Sequence, residues 1–193
     1  TLNVMTQAAT SILAQANERP STVLQILTVR RFQIMKSDSI KTYSYRVSQA
    51  SKSDLIVILY DIAMESVQDA QAAYREKNDD EYHASLKRAK RVVDELESSL
   101  DMQYDISKEL FKIYVSMMRF LVKADAGHDV TVLDTVLSML SKLRKSFYEV
   151  SRQDTTGPVM RNAEQVYAGL TYSNMGTSTE IAENTSGNRG YTV

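Results

Sequence analysis

Cysteine is absent from the 193 residues, which excludes disulfides, thiolate chemistry and thiolate metal sites. Only six glycines and two prolines occur. Long stretches therefore run without a helix-breaking residue, and an all-α fold follows in preference to strands joined by tight turns. An excess of either charge is also lacking, since 23 Lys and Arg against 24 Asp and Glu leave a formal net charge of -1. That balance provides no broad field for nucleic acid or an anionic membrane, and neither is expected as a partner. No run approaches ~20 consecutive apolar residues, so no segment is expected to insert in a bilayer. Residues 1–20 do not place a basic stretch ahead of an apolar one, the pattern of a secretory signal, and a cytoplasmic location is the expectation. The two histidines, His83 in a polar stretch and His128 in a loop, have no Glu-x-x-His spacing. No metal or other cofactor is expected. What the chain does have is an ordinary globular balance of 43% hydrophobic and 24% charged residues, enough to bury a core.

Four helices are predicted in the middle of the chain. The first begins at Ser51, where Ser51 and Asp54 form a capping-box pattern, and runs through Leu55, Leu59, Ile62, Ser66 and Ala70 to about Tyr74. The second carries Leu86, Ala89, Val93, Leu96 and Leu100 as a narrow apolar stripe. Its opposite face is charged, with Lys90 and Asp94, and Arg91 and Glu95, spaced as i,i+4 surface pairs. The cluster Lys87, Arg88, Lys90 and Arg91 reads as part of that solvated face rather than a phosphate site. Short connections favour antiparallel neighbours and an up-down four-helix bundle.

The third helix, about Ile106–Lys123, is apolar nearly all round. Ile106, Leu110, Tyr114, Met117, Leu121 and Ala124 form one stripe, and Phe111, Val115, Met118 and Val122 a second, with Ile113 and Phe120 between them. Such a helix needs cover on more than one side. The fourth helix is expected to follow Asp129 as N-cap, with Leu133, Val136 or Leu137, Leu140, Leu143 and Phe147 inward and Val132, Met139 and Val150 beside them. Two candidates to cover the surplus apolar surface are a dimer partner and the island Val166–Leu170, which interrupts an otherwise polar tail over residues 153–193.

Residues 1–27 form a separate object. Met5 through Asn17 has helix propensity but only Ile12 and Leu13 as main apolar side chains, and Ser21 through Leu27 forms a second short helix. Helices this short are marginal alone in water and need a groove.

The run Thr10-Ser-Ile-Leu-Ala-Gln-Ala-Asn17, then Pro20 and Val23-Leu24-Gln25-Ile26-Leu27, resembles the C-terminal end of bacterial flagellins. From Met35 the chain resembles the FliS family of flagellar secretion chaperones. The residues that carry this are Ile40-Lys-Thr-Tyr43, Ala50-Ser51, Leu55-Ile56, Leu59-Tyr60-Asp61, Ser99-Leu100-Asp101, Ile113-Tyr114 and Met117-Met118-Arg119. Departures from the family pattern are Lys52 for a proline, Ile62 for a glycine and Tyr104-Asp105 for a Gly-Gly pair. The two resemblances divide the chain into a client segment (1–27), a junction (28–34), a helical-bundle chaperone (35–152) and a polar tail (153–193).

A fusion of client segment to chaperone is the expected organisation. The third helix lacks cover and the flagellin-like segment lacks a groove, which is the condition for helix-in-groove recognition. The expected client residues are Ile12, Leu13, Val23, Leu24, Ile26 and Leu27. The expected groove is Phe111, Val115, Met118, Val122, Val132 and Met139. About two dozen residues separate Leu27 from Ser51, at up to ~3.3 Å each, so binding in cis and exchange between copies in a domain-swapped oligomer are both feasible. The resemblance implies sequestration of flagellin before export, delivery to the export-gate protein FlhA, and no enzymatic activity. It also implies that Ile40 and Tyr43 form either a removable cover over the client surface or a plain cap on the bundle end. A self-associating structural bundle that its own N-terminal segment completes is the second reading, and an enzyme the third.

Overall fold

The computed structural model describes residues 20–28 and 37–160. These form six helices: α1 (Pro20–Thr28), α2 (Ser37–Gln49), α3 (Lys52–Arg75), α4 (Asp79–Ser98), α5 (Asp105–Gly127) and α6 (Thr131–Ser151). The expected helix within Met5–Asn17, with Ile12 and Leu13, and the island Val166–Leu170 lie outside the described residues, as does the side chain of Leu27.

Local chemistry sets the boundaries. The Ser51 hydroxyl accepts from the Asp54 amide and the Asp54 carboxylate accepts from the Ser51 amide, so α3 opens on the expected capping box. Asn78 caps α4 by accepting from the Glu81 amide, and Asp79, Asp80 and Glu81 complement the dipole of its first turn. Helix α5 ends at His128 in the left-handed region, with φ 51°. Asp129 does not cap α6 as expected. The helix starts two residues later behind Val130, and the Asp129 carboxylate accepts from the Thr131 hydroxyl at 2.5 Å and pairs with Lys123 at 2.9 Å.

Helices α3, α4, α5 and α6 close a ring in which each packs on the next and α6 returns to α3, the expected all-α four-helix bundle. The stripe Leu86, Ala89, Val93 and Leu96 of α4 is fully inside, as are Leu110, Tyr114, Met117 and Leu121 of α5. At the centre the Tyr60 and Tyr114 hydroxyls meet at 2.5 Å, and Phe147 stacks on Tyr60 at 5.4 Å. One phenol donates to the other, so each oxygen has a partner where no water reaches, which is the condition for burying two hydroxyls in a hydrophobic core.

The helix that is wrapped on every side is α3, not α5. Leu55 through Tyr60, Ile62 and Ala63 are all buried, because α4 and α6 cover two sides and α2, with α1 above it, covers a third. Ile62 is a fully buried core residue.

The chain after α6 returns to the start of α3. The Val159 amide donates to the Ala50 carbonyl at 3.0 Å, and the Asp154 carboxylate accepts from the Ser53 and Thr156 hydroxyls. Partial burial alone would raise the Asp154 carboxyl, but these donors outweigh it and hold it down at about 2. A carboxyl that binds its proton less readily folded than unfolded stabilises the fold at neutral pH. That contribution fades as pH falls below the ordinary carboxylate value and is gone below about 2. With solvent screening it amounts to about 1 kcal/mol. Asp154→Ala is therefore expected to lower Tm by roughly 3 °C at pH 7, with the gap from wild type closing as thermal melts are repeated toward pH 2.

Candidate functional site

Two surfaces carry the described client residues and four of the expected groove residues. The first is the seat of α1. Pro20 opens the helix at a position where its missing N–H costs nothing, and the next turns present Val23 and Ile26 inward. Both are buried, and Leu24 is packed partly buried beside them. The helix lies chiefly on α2 and also touches α3 and α4.

Helix α2 forms the platform below. Its apolar residues Ile40, Tyr43 and Val47 recur at i, i+3 and i+7, and all three join the core that holds Val23 and Ile26. The rest of its attachment is polar. Asp61, the one charged residue in the apolar run of α3, is largely buried. It takes Arg46 Nη2 of α2 at 2.6 Å and Arg144 Nε of α6 at 2.5 Å. Ser39 donates to the Glu65 carboxylate at 2.7 Å. The Arg46 guanidinium also lies over the Tyr43 ring, 5.4 Å from its centroid. Burial and the neighbouring Glu65 carboxylate push the Tyr43 hydroxyl well above its ordinary value, so it stays a neutral donor.

The second surface is an open groove of about 570 Å³ between α4 and α5. Val115, Met118 and Val122 line it together with Ala126, and its rims carry Asp94 and Glu97 on one side and Arg119 and Lys123 on the other. Val122 is 49% exposed and Phe111, one turn before Val115, is 37% exposed. Burial, reinforced by the Asp94 charge, raises the Glu97 carboxyl above its usual range. An apolar trough between acidic and basic rims suits an amphipathic helix and has no arrangement for bond chemistry.

Four of the six expected groove residues thus lie on one flank of α5. Val132 and Met139 do not join them. They sit on α6, half-buried against the core, and are not among the residues that line the groove. The expected solvated face of α4 also differs. Arg88 is buried, donating from Nε to Ser66 Oγ at 2.8 Å and pairing with Asp69 at 2.5 Å. Lys90 turns to Asp125 at 2.5 Å. The same Asp125 accepts from His83 Nδ1 at 2.6 Å, and the His128 ring stacks on Tyr82. Among the described residues no group of three or more His, Asp or Glu is placed to hold a metal ion.

Sequence reasoning gave no role of their own to Asp61 and Glu65 and placed Arg88 on a solvated face. A single aspartate inside the run Leu55–Ala63 was a usable signal, because a carboxylate surrounded by core residues must have a cationic partner.

No described helix is long and apolar enough to cross a membrane. No curated protein matches the chain. The family model described as flagellar protein FliS matches residues 37–154, from the first residue of α2 to the Asp154 clasp. That span covers well over half of the sequence and the whole four-helix ring, and it places the chain in the FliS family of flagellar export chaperones.

Proposed function

We propose that this chain is a flagellin-specific chaperone carrying its own client: residues 1–27 are a flagellin C-terminal segment held by the FliS bundle of residues 35–152. The observation that carries the reading is the docking of α1, whose flagellin-like residues Val23 and Ile26 are buried on that bundle. Burying such side chains contributes roughly 1.5–3 kcal/mol each before ordering costs. The α4–α5 groove remains for the earlier part of the segment, where Ile12 and Leu13 would lie against Val115, Met118 and Val122 with Phe111 at one end. Sequestering these side chains keeps flagellin from polymerising before export, and the loaded bundle is then handed to FlhA at the export gate. Chaperone and client meet in the cytoplasm, and the client is exported to the filament. The segment binds in cis or is exchanged between two copies, since the tether permits both.

A specific protease site inserted between Thr28 and Met35 tests this in the full chain. After cleavage the N-terminal piece is expected to stay bound one-to-one and to leave on dilution with a Kd in the micromolar range, about -8 kcal/mol. A bundle that stays folded while failing to rebind the piece would overturn the reading. A bundle that unfolds once the piece is gone would favour the structural reading, in which α1 completes its own fold.

A further inference from the structure

The apolar flank of α5 is longer than the groove it lines. Tyr104, Phe111 and Met118 follow one another at intervals of seven residues, so they share one face. The groove takes in Met118 and Val115 and stops there on the side of the α4–α5 connection. Beyond it lie Phe111, Tyr104 and Met102, which are 37%, 39% and 49% exposed. Tyr104 is the N-cap of α5 and makes no capping bond. The position forgoes what a Ser or Asp would contribute and presents a ring to solvent instead. Three side chains exposed to this extent leave on the order of 250 Å² of largely apolar surface open. A stable dimer draws about 800 Å² from each partner, so this patch suits a short peptide better than a second copy.

The chain leaves α6 at the same end of the ring. Ser53 with Asp154, Tyr60 with Phe147, Asp61 with Arg144 and Gln71 with Asp134 pair in descending order, so α6 runs against α3 and finishes beside its start. The Val159 amide then fastens the chain to Ala50, and Val159 and Met160 pack partly buried on the core. Helix α4 turns back along α3, which brings the α4–α5 connection to this end as well. Packed helices lie about 8–10 Å apart, so the far corner of the end is about 14 Å from the clasp. From Met160 the sequence runs on through polar residues to Val166, six positions later, and Leu170. Six residues reach up to ~20 Å, enough for Met102 and Tyr104. Val122 lies eighteen residues along α5 from Tyr104. That adds ~27 Å and puts it beyond the reach of Val166.

We propose that the apolar island Val166–Leu170 of the chain's own tail docks on Met102, Tyr104 and Phe111. It closes the open end of the α5 strip and leaves Val115, Met118 and Val122 for another helix. Val166 and Leu170 are spaced i,i+4, and Tyr167 and Leu170 i,i+3, so a single helical turn turns all three to one side. The clasp at Ala50 makes the docking intramolecular. A tether this short gives an effective concentration in the millimolar range, at which a contact of three side chains suffices. The inference stands apart from the client reading, since strip and tail both lie within residues 102–193.

The absence of cysteine permits a cross-linking test on the full chain. Gln103→Cys enters the patch without removing any of its apolar side chains, and Thr171→Cys follows the island. Mild oxidation is expected to join the two within one chain, since docking brings them to disulfide range. Adding Val166→Asp and Leu170→Asp is expected to slow the joining about tenfold or more. Equal rates with and without the aspartates would mean that the tail only sweeps past, and would overturn the docking. Arg119→Cys on the groove rim, paired with Thr171→Cys, is expected to join slowly. Joining there as fast as at Gln103→Cys would seat the island in the groove and sink the proposed site. Oxidation to a covalent dimer in place of an internal loop would give the patch to a second copy. Gln103 and Arg119 are both exposed, so the ring is expected to fold unchanged.

Discussion

Val23→Asp combined with Ile26→Asp is expected to release α1 while leaving the four-helix ring folded. Both side chains are almost wholly buried, at 3% and 7% exposure. Their transfer back to water forfeits about 3–6 kcal/mol between them. Two carboxylates cannot take their place without loss, since both positions belong to the continuous apolar core that also holds Tyr43 and Val47. The docked population should fall on the order of a hundredfold or more. Peptides covering residues 20–28 would then exchange as an open chain. The ring has its own closed core around Tyr60, Tyr114 and Phe147, so its melting should move little. Global unfolding of the double variant would instead make α1 an integral part of the fold, which is the structural alternative to a docked client.

The contrast between α1 and the ring follows what the sequence made legible. The capping box at Ser51 and Asp54 and the inward stripe Leu86, Ala89, Val93 and Leu96 were readable because they depend on spacing within one helix. The flank Phe111, Val115, Met118 and Val122 was readable for the same reason, and three of those four residues line the groove. Which neighbour a flank meets was not readable. Val132 and Met139 belong to a similar side stripe on α6, but periodicity within a helix carries no information about the order of helices around a ring. A continuous apolar run also hid the character of α3. Leu55 through Ala63 has no polar face from which a period can be read, so α5, with two visible stripes, looked like the helix most in need of cover. The packing reverses this, and it does so through α1 and α2, whose placement depends on contacts far apart in sequence. Asp61 illustrates the same gap. Its two arginines lie 15 and 83 residues away, beyond the reach of any local pattern.

Arg88 was misread for a different reason, and its pairing predicts a large single-residue effect in the ring. It sits in a cluster of four basic residues, two of which have acids at i+4 that suggest a solvated face. Yet Ser85, three residues before it, and Val92, four after, are both buried, so Arg88 shares their flank of α4 and points at α3. There it is 5% exposed and holds Asp69 and the Ser66 hydroxyl. Asp69→Ala removes the charge partner and leaves a guanidinium that cannot neutralise itself by losing a proton. The expected cost is about 3 kcal/mol, the lower end for a broken buried pair because Asp69 keeps some contact with solvent. That corresponds to a fall in Tm of roughly 6–12 °C. Arg88→Met with Asp69→Leu should restore most of it, since apolar residues of similar volume replace such a pair at little net cost. Denaturant unfolding of the two variants distinguishes the cases, and a cost under about 0.5 kcal/mol for Asp69→Ala would mark the pair as an ordinary surface contact. The consequence reaches the groove. Helix α4 contributes the Asp94 and Glu97 rim less than three turns beyond Arg88, so the pair that fixes α4 on α3 also bears on the width of the α4–α5 groove.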